Sequence, residues 1–358
     1  MIYHEFHRLN HRYNRRAGAS GGALAAQVTA GGGFGFLAAG ALITKVKVNL
    51  FDLAHPTGYD SVEKFQSELS IARNILQPQS DTSMLPIGVG YLGWQLEKPD
   101  SPAVALLSSA LKGRVQAIWL AFGDDLGQWV KFVRDRGDYK TLIFIQVSDV
   151  EEAKRAIYEW KADVIVAQGA LSDFTWLSYS HESSISGIES GGHGNGAAPP
   201  LLSLISSVLS LSPIRHGPPI LGAGGLAHGG HVAALLAMGA SGGVLGTRFL
   251  LTPESLYSNA QKSALLAAKS SSSTIRTMAF DRARGTLGWP QGINGRALFN
   301  DTVRDDDNDV DIKIVQTKFM EAVKKEDTKR MLIWAGTGVG EMNEIKEARV
   351  VDSAFQCA

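Results

Sequence analysis

Residues 217–255 read GPPILGAGGLAHGGHVAALLAMGASGGVLGTRFLLTPES, and the reading of this stretch decides the fold. Pro219 to Gly222 is a short apolar run that ends among glycines. Gly222, Gly224 and Gly225 make a turn, and His228 to Met238 has the apolar spacing of an amphipathic helix. Gly242 to Leu245 is a second apolar run, closed by Gly246-Thr247. The order is strand, glycine loop, helix, strand, Gly-Thr. Two parallel strand ends, each followed by backbone that a ligand can approach closely, form a cradle for a phosphate group. In an eight-stranded (β/α) barrel the loops after strands 7 and 8 commonly do this job. An ordinary βαβ unit would explain one glycine loop; two in register favour the phosphate site.

Upstream, strands alternate with helices at short intervals. Apolar runs at Gly35–Ala38, Leu85–Tyr91, Val115–Ala121, Thr141–Val147 and Asp163–Ala167 read as strands. The segments Ser20–Ala30, Ser61–Leu76, Ser101–Leu111, Leu126–Arg134, Val150–Lys161 and Leu201–Leu211 read as helices. Continuous apolar strands suit a parallel sheet covered on both faces. Counting from Gly35 gives seven strands, so a barrel needs one more before Ser20, where HRLNHRYNRRAGAS is no strand. The expected organisation is an atypical N-terminal segment (1–16), a barrel (17–255) and a helical and loop C-terminal appendage (256–358) over the barrel mouth. In that appendage Ser255–Lys269 and Ile312–Lys325 read as helices, and Arg276–Leu298 as an ordered loop.

Composition narrows the function. The chain has 358 residues, 44% of them hydrophobic and 20% charged, in the range of a globular protein. Lys plus Arg equals Asp plus Glu at 35 each, which gives no electrostatic support for a nucleic-acid or anionic-membrane partner. No apolar run approaches the length of a membrane span. One cysteine, Cys357, excludes an intrachain disulfide and a cysteine metal site. A cytoplasmic setting is expected, with a mitochondrial address, which the Arg-rich start weakly suggests, or a peroxisomal one as alternatives.

ALAAQVTAGGGFGFLAAG (23–40), LPIGVGYLGWQ (85–95), DVIVAQG (163–169), IESGGHG (188–194), RGTLGWP (284–290) and WAGTGVG (334–340), together with the opening stretch, resemble the nitronate monooxygenase (2-nitropropane dioxygenase) family, its fungal type most of all. The resemblance runs from Ala17 to about Lys346 and is specific in its order: VAQG with ESGGHG, then AGGLA, then LGTRFL. It implies an FMN-binding (β/α)8 TIM barrel that oxidises alkyl nitronates with O2. Gly224, Gly225, Gly246 and Thr247 match phosphate-binding positions, Gln168 and Gly191, with Gly192, match positions beside the flavin, and His193 matches the catalytic base. Taken as a residue, His193 stands among glycines in a loop past a strand end. There a neutral imidazole can take a proton from a carbon α to a nitro group, and an imidazolium can hold an anionic nitronate. The partners implied are a nitronate or nitroalkane and O2; no metal is expected. His228 and His231 read as surface or capping residues, Asp124-Asp125 as a helix start, and Glu189 as a solvated face or, less favoured, as a group that orients His193. Trp289 and Trp334 read as a flavin cover or as core.

The pattern departs from the family in three respects. The first strand, ending in Ala-Pro-Met in relatives, is missing or altered here. The Asn many relatives carry after strand 3 is replaced in Gly88-Val89-Gly90-Tyr91. Two segments of 18 residues, 41–58 and 170–187, interrupt the motifs. Each follows a glycine, begins Ala-Leu and ends in Thr-Gly or Ser-Gly. They read as retained introns translated in frame, or as genuine loop insertions. The second separates Gln168 from His193, which predicts a loosened site. The leading function is therefore FMN-dependent nitronate oxidation. The alternatives are an FMN barrel of other redox chemistry, such as an enoyl reductase, and an inactive product.

Overall fold

The β-branched and leucine-rich runs become seven parallel strands in one curled sheet: Phe36–Ala38, Leu85–Leu92, Val115–Ala121, Leu142–Val147, Val164–Gln168, Ile220–Ala223 and Gly242–Val244, paired in that order. A computed structural model of the chain describes residues 19–39, 61–80, 82–137, 141–171, 187–211 and 217–351, with a pair of two-residue strands at Lys47–Val48 and Phe51–Asp52. Among the described residues the two outer strands, Phe36–Ala38 and Gly242–Val244, do not pair with each other, so the barrel is open where a first strand would close it. The segment 1–16 and most of the two extra segments lie outside the described residues.

Helices begin where the sequence offers caps. Ser61, Ser101 and Asp125 each accept a backbone N–H of the first turn, at 3.3, 3.2 and 3.4 Å. Asp125 is thus a helix cap, as its sequence position suggests. The helix expected over 150–161 splits into an α segment, Val150–Lys154, and a π turn, Arg155–Glu159. One strand face packs Leu37, Ile87, Val89, Ile118, Leu120, Ile143, Ile145 and Ile165 against helix residues Phe65, Leu69, Leu106, Leu107, Leu204 and Ile205. Each such large side chain removed from water contributes about 1.5–3 kcal/mol.

The other face fills the barrel with Ala117, Phe144, Val164, Val166 and Ala223, joined by Phe34, Phe36 and Trp119. Phe36 meets Trp119 and Phe144 edge-on, each at 5.0 Å between ring centroids. Gly88 faces this cluster: a Cβ there would lie 2.1 Å from the Phe36 ring, so the missing side chain is what lets the ring in.

The C-terminal part adds strands to the expected helices. Arg276–Leu298 is not one loop: strand Thr274–Thr277, helix Ala279–Arg284 and strand Ile293–Leu298 run through it. Sequence reading missed them because two are short and glycine breaks the pattern at 285, 288 and 292. The strands form an antiparallel three-stranded sheet whose third member, Gly192–Asn195, comes from the barrel half of the sequence. Phe280, Ala283, Val303, Val315 and Phe319 form a separate core beneath it.

Candidate functional site

His193 does not sit in a loop. It lies in the strand Gly192–Asn195, opposite Gly295 in the neighbouring strand. A Cβ at Gly295 would meet the Trp334 ring at 2.4 Å and His193 Nε2 at 3.6 Å, so Gly295 makes the hole in which the imidazole and indole meet. Trp289 stacks on the imidazole at 3.6 Å between centroids, and Trp334 meets it edge-on at 4.9 Å. Trp289 in turn packs on Trp94 at 5.1 Å.

The imidazole is anchored through one nitrogen. His193 Nε2 lies 2.9 Å from Oδ2 of Asp281, a side chain with no solvent exposure. The other carboxylate oxygen, Oδ1, accepts from Arg284 at 2.8 Å and from the Thr286 hydroxyl at 2.7 Å. The helix Ala279–Arg284 places Asp281 and Arg284 one turn apart. Gly285, at φ 68°, ends that helix and turns the chain so that Thr286 reaches back. Nδ1 of His193 has no hydrogen-bond partner among the described residues. Burial pushes the His193 pKa down; Asp281 opposes this, while Arg284 and Arg276 add to it. Burial pushes Asp281 up, but His193, Arg284 and Thr286 together outweigh it and hold the carboxyl below its ordinary value.

Arg276 secures the strand from below. Its guanidinium donates to the carbonyls of Ser190 (3.1 Å), Gly192 (3.4 Å) and Gly194 (3.3 Å), and to Asn294 Oδ1 (2.9 Å) and the Asn294 carbonyl. Burial, with Arg296 nearby, pushes its pKa down to about 8, so it remains largely charged at neutral pH.

Gln168 and His193, 25 positions apart, are brought together: the Gln168 amide nitrogen approaches the His193 carbonyl at 3.4 Å, and its oxygen accepts from Gln146 at 2.8 Å. The interruption between them closes on itself, because Ala170 pairs with Ile188 and Leu171 with Gly187 in antiparallel register. The two glycine loops also converge. Gly224 (φ 131°) approaches the Ser190 backbone, and Gly225 (φ 68°) faces Thr337 Oγ1 and Glu189. Thr247 Oγ1 accepts from the Gly336 amide at 2.9 Å, and Gly191 lies against Ala335 and Gly336. A Cβ on Gly246 or Gly192 would meet only open space.

Glu189 neither orients His193 nor points to solvent. It accepts the Leu201 amide at 2.7 Å at the start of the helix Leu201–Leu211, and burial raises its pKa. His228 caps the helix Gly229–Ala237, its Nδ1 accepting the Gly230 amide at 3.1 Å. His231 Nδ1 accepts the Ala227 amide at 3.1 Å, and Glu341 lies 3.0 Å from His228 Nε2. The three could hold a metal by proximity alone. With both Nδ1 atoms accepting, however, each neutral ring carries its proton on Nε2, the atom a metal would need.

The missed residues are Asp281, Arg276, Arg284, Thr286 and Gln146. FDRARGT (280–286) carries an i,i+3 Asp–Arg pair with a glycine stop, a signal for a capped helix and not for a site. The contact with His193 spans 88 positions, which spacing cannot show.

These features test for a flavin. The open positions at Gly192 and Gly246 beside the two glycine loops suit a phosphate-bearing group, and the rings of Trp289 and Trp334 suit a flat one. The buried Oγ of Ser190 and Nε1 of Trp289 have no hydrogen-bond partner among the described residues. The residues present fit such a group. The fold is an open (β/α) barrel whose strand-end glycine loops converge beside His193 and Gln168. The nitronate monooxygenase family model matches residues 184–351. The nitronate monooxygenase of Metarhizium robertsii is 28% identical over 93% of this chain and 85% of its own length; that of Neurospora crassa is 27% identical over 91% and 82%. Among solved structures, a nitroalkane oxidase from Streptomyces ansochromogenes aligns with TM-score 0.68 at 24% identity, covering 95% of this chain and 92% of that one. FabK from Thermotoga maritima aligns at 0.67 and 20%, covering 96% and 90%. The chain is thus similar to nitronate monooxygenases over most of its length, and to the family model over its C-terminal half. No helix among the described residues is long and apolar enough to cross a membrane.

Proposed function

We propose that the chain binds FMN and oxidises alkyl nitronates, and nitroalkanes after deprotonation, with O2. The observation that carries this reading is a largely buried His193 with one nitrogen held and the other free. Gly224, Gly225, Gly246 and Thr247 would hold the phosphate through backbone amides, with the Thr337 hydroxyl beside them. Gln168, Gly191 and Gly192 would border the ring. A bound flavin supplies a two-electron acceptor that O2 can reoxidise.

The protein's own residues do the acid–base work. His193, desolvated, is neutral near pH 7 and can act as a base. With a nitroalkane, the Cα–H bond breaks, the proton passes to imidazole nitrogen, and the electron pair spreads onto the nitro oxygens. The positive charge of Arg276 and Arg284 favours that anion. The aromatic cover of Trp289 and Trp94 keeps water from the site.

The test is oxygen uptake with a nitronate in the absence of NAD(P)H, on protein whose flavin content is known from its visible spectrum. Uptake dependent on NAD(P)H would assign the barrel to reductase chemistry instead. Colourless protein that FMN cannot restore would refute cofactor binding.

A further inference from the structure

We infer that Asp281 is a positioning residue that fixes His193 in the Nε2–H tautomer and so makes Nδ1 the proton-accepting atom. This deepens the proposed function and rests on it for the catalytic role of His193; the tautomer stands on geometry alone. The two oxygens of Asp281 have separate tasks. Oδ1 is taken by the Arg284 guanidinium and the Thr286 hydroxyl, both obligate or available donors. Oδ2 faces His193 Nε2 at 2.9 Å. An ionised carboxylate only accepts, so Nε2 must carry the hydrogen, and a neutral ring then has its lone pair on Nδ1. Nδ1 meets no donor among the described residues. Proton transfer balances on this atom: the Cα–H bond of the nitroalkane breaks, Nδ1–H forms, and the resulting imidazolium lies against a carboxylate that compensates its charge. Arg284 limits that compensation, because it shares the carboxylate through Oδ1 and lies in a nearly closed pocket with 12% of its side chain exposed.

The arrangement makes the isosteric variant informative. In Asp281→Asn, Arg284 and Thr286 still need an acceptor, which keeps the amide oxygen at the Oδ1 position. The amide NH2 then faces His193 Nε2 and demands an acceptor there. The imidazole is driven to the Nδ1–H tautomer, and the base is lost while the shape of the site is kept.

The experiment is 15N NMR of histidine-labelled holoenzyme, parent and Asp281→Asn, alongside turnover of a neutral nitroalkane and of its preformed nitronate. The parent is expected to show His193 protonated on Nε2, and the variant on Nδ1. Nitroalkane turnover should fall by about a hundredfold or more, the usual worth of a general base, with nitronate turnover falling much less. Thr286→Val removes one Oδ1 donor without touching Oδ2, and should keep the parent tautomer. A parent His193 found as Nδ1–H overturns the inference, as does an Asp281→Asn protein that retains nitroalkane turnover. If Asp281→Asn fails to fold, the parent spectrum and Thr286→Val decide. An Nε2–H His193 in a parent that oxidises no nitronate refutes the proposed function and leaves the positioning intact.

Discussion

Gly225→Ala tests the phosphate cradle with a single methyl group. The backbone at 225 has φ 68°, in the left-handed region, where an L-residue costs about 1–2 kcal/mol. The added Cβ would lie 2.9 Å from Thr337 Oγ1 and 3.3 Å from Glu189 Cβ. The hydroxyl must swing away and give up its 3.3 Å hydrogen bond to the Glu189 carbonyl, worth about 1 kcal/mol net. Together these come to about 2–3 kcal/mol. If a bound phosphate requires the native loop and the free loop relaxes, flavin affinity falls about 30- to 150-fold, at 1.4 kcal/mol per factor of ten. The assay is FMN titration of apoprotein by quenching of flavin fluorescence, with thermal unfolding measured in parallel. Gly239→Ala is the control: Gly239 has φ 100° and nothing within 4 Å of its Cβ position, so it carries backbone strain without cradle contact. It should lower Tm and leave flavin affinity unchanged. Gly225→Ala protein that binds FMN as tightly as the parent, while losing Tm as Gly239→Ala does, would refute the cradle.

His193→Asn should keep its flavin spectrum, lose about a hundredfold or more on neutral nitroalkanes and lose less on nitronates; equal loss on both would mean the ring holds the anion instead of removing a proton. His193 also predicts a stability slope. Its folded pKa lies below the unfolded value of 6.5, so between the two the unfolded chain binds more protons, and stability declines as pH falls through that window. Denaturant titrations should show that decline in the parent and a shallower one in His193→Asn. Gly88→Val should destabilise by about 1–3 kcal/mol, because its Cβ collides with Phe36, which Trp119 and Phe144 hold in place; an unchanged urea midpoint would show that the layer is loosely packed. A chain joining Gly169 directly to Ile188 should fold and bind at least as much FMN as the full chain, measured by flavin-to-protein ratio; loss of flavin would make 170–187 part of the site.

The barrel was legible because its strands are apolar on both faces and its two glycine loops stand one strand apart. Gly224, Gly225, Gly246 and Thr247 could be picked out for the same reason: each follows a strand end, and strand ends of this architecture meet at one face, whereas Gln168 came from the resemblance. The resemblance, not spacing, pointed to His193. What sequence could not show was its support. Asp281 and Arg276 look like charged residues on short surface elements, and both are buried where Ile293–Leu298 pairs with Gly192–Asn195 across about 100 positions. The role of Glu189 is hidden for the same reason: its carboxylate accepts the Leu201 amide, and nothing local in ESGGHG announces that contact. The interruption at 170–187 separates Gln168 from His193 in sequence but not in space. Its ends pair antiparallel, and closure entropy grows by only about 0.6 kcal/mol per doubling of length.

His193 rides on a sheet of the C-terminal half, while the glycine loops belong to the parallel barrel. The proposed base and the proposed cofactor cradle therefore rest on separate hydrophobic cores, one around Phe280 and Phe319 and one around Ile118 and Ile143. Such cores can open as separate cooperative units. Where the C-terminal unit opens first on heating, proton abstraction by His193 would be lost before flavin is released. Amide hydrogen exchange at 274–298 should then quicken while the barrel strands stay protected. A preparation that has aged or been warmed would still be yellow and would still accept preformed nitronate, yet would have lost the neutral nitroalkane reaction.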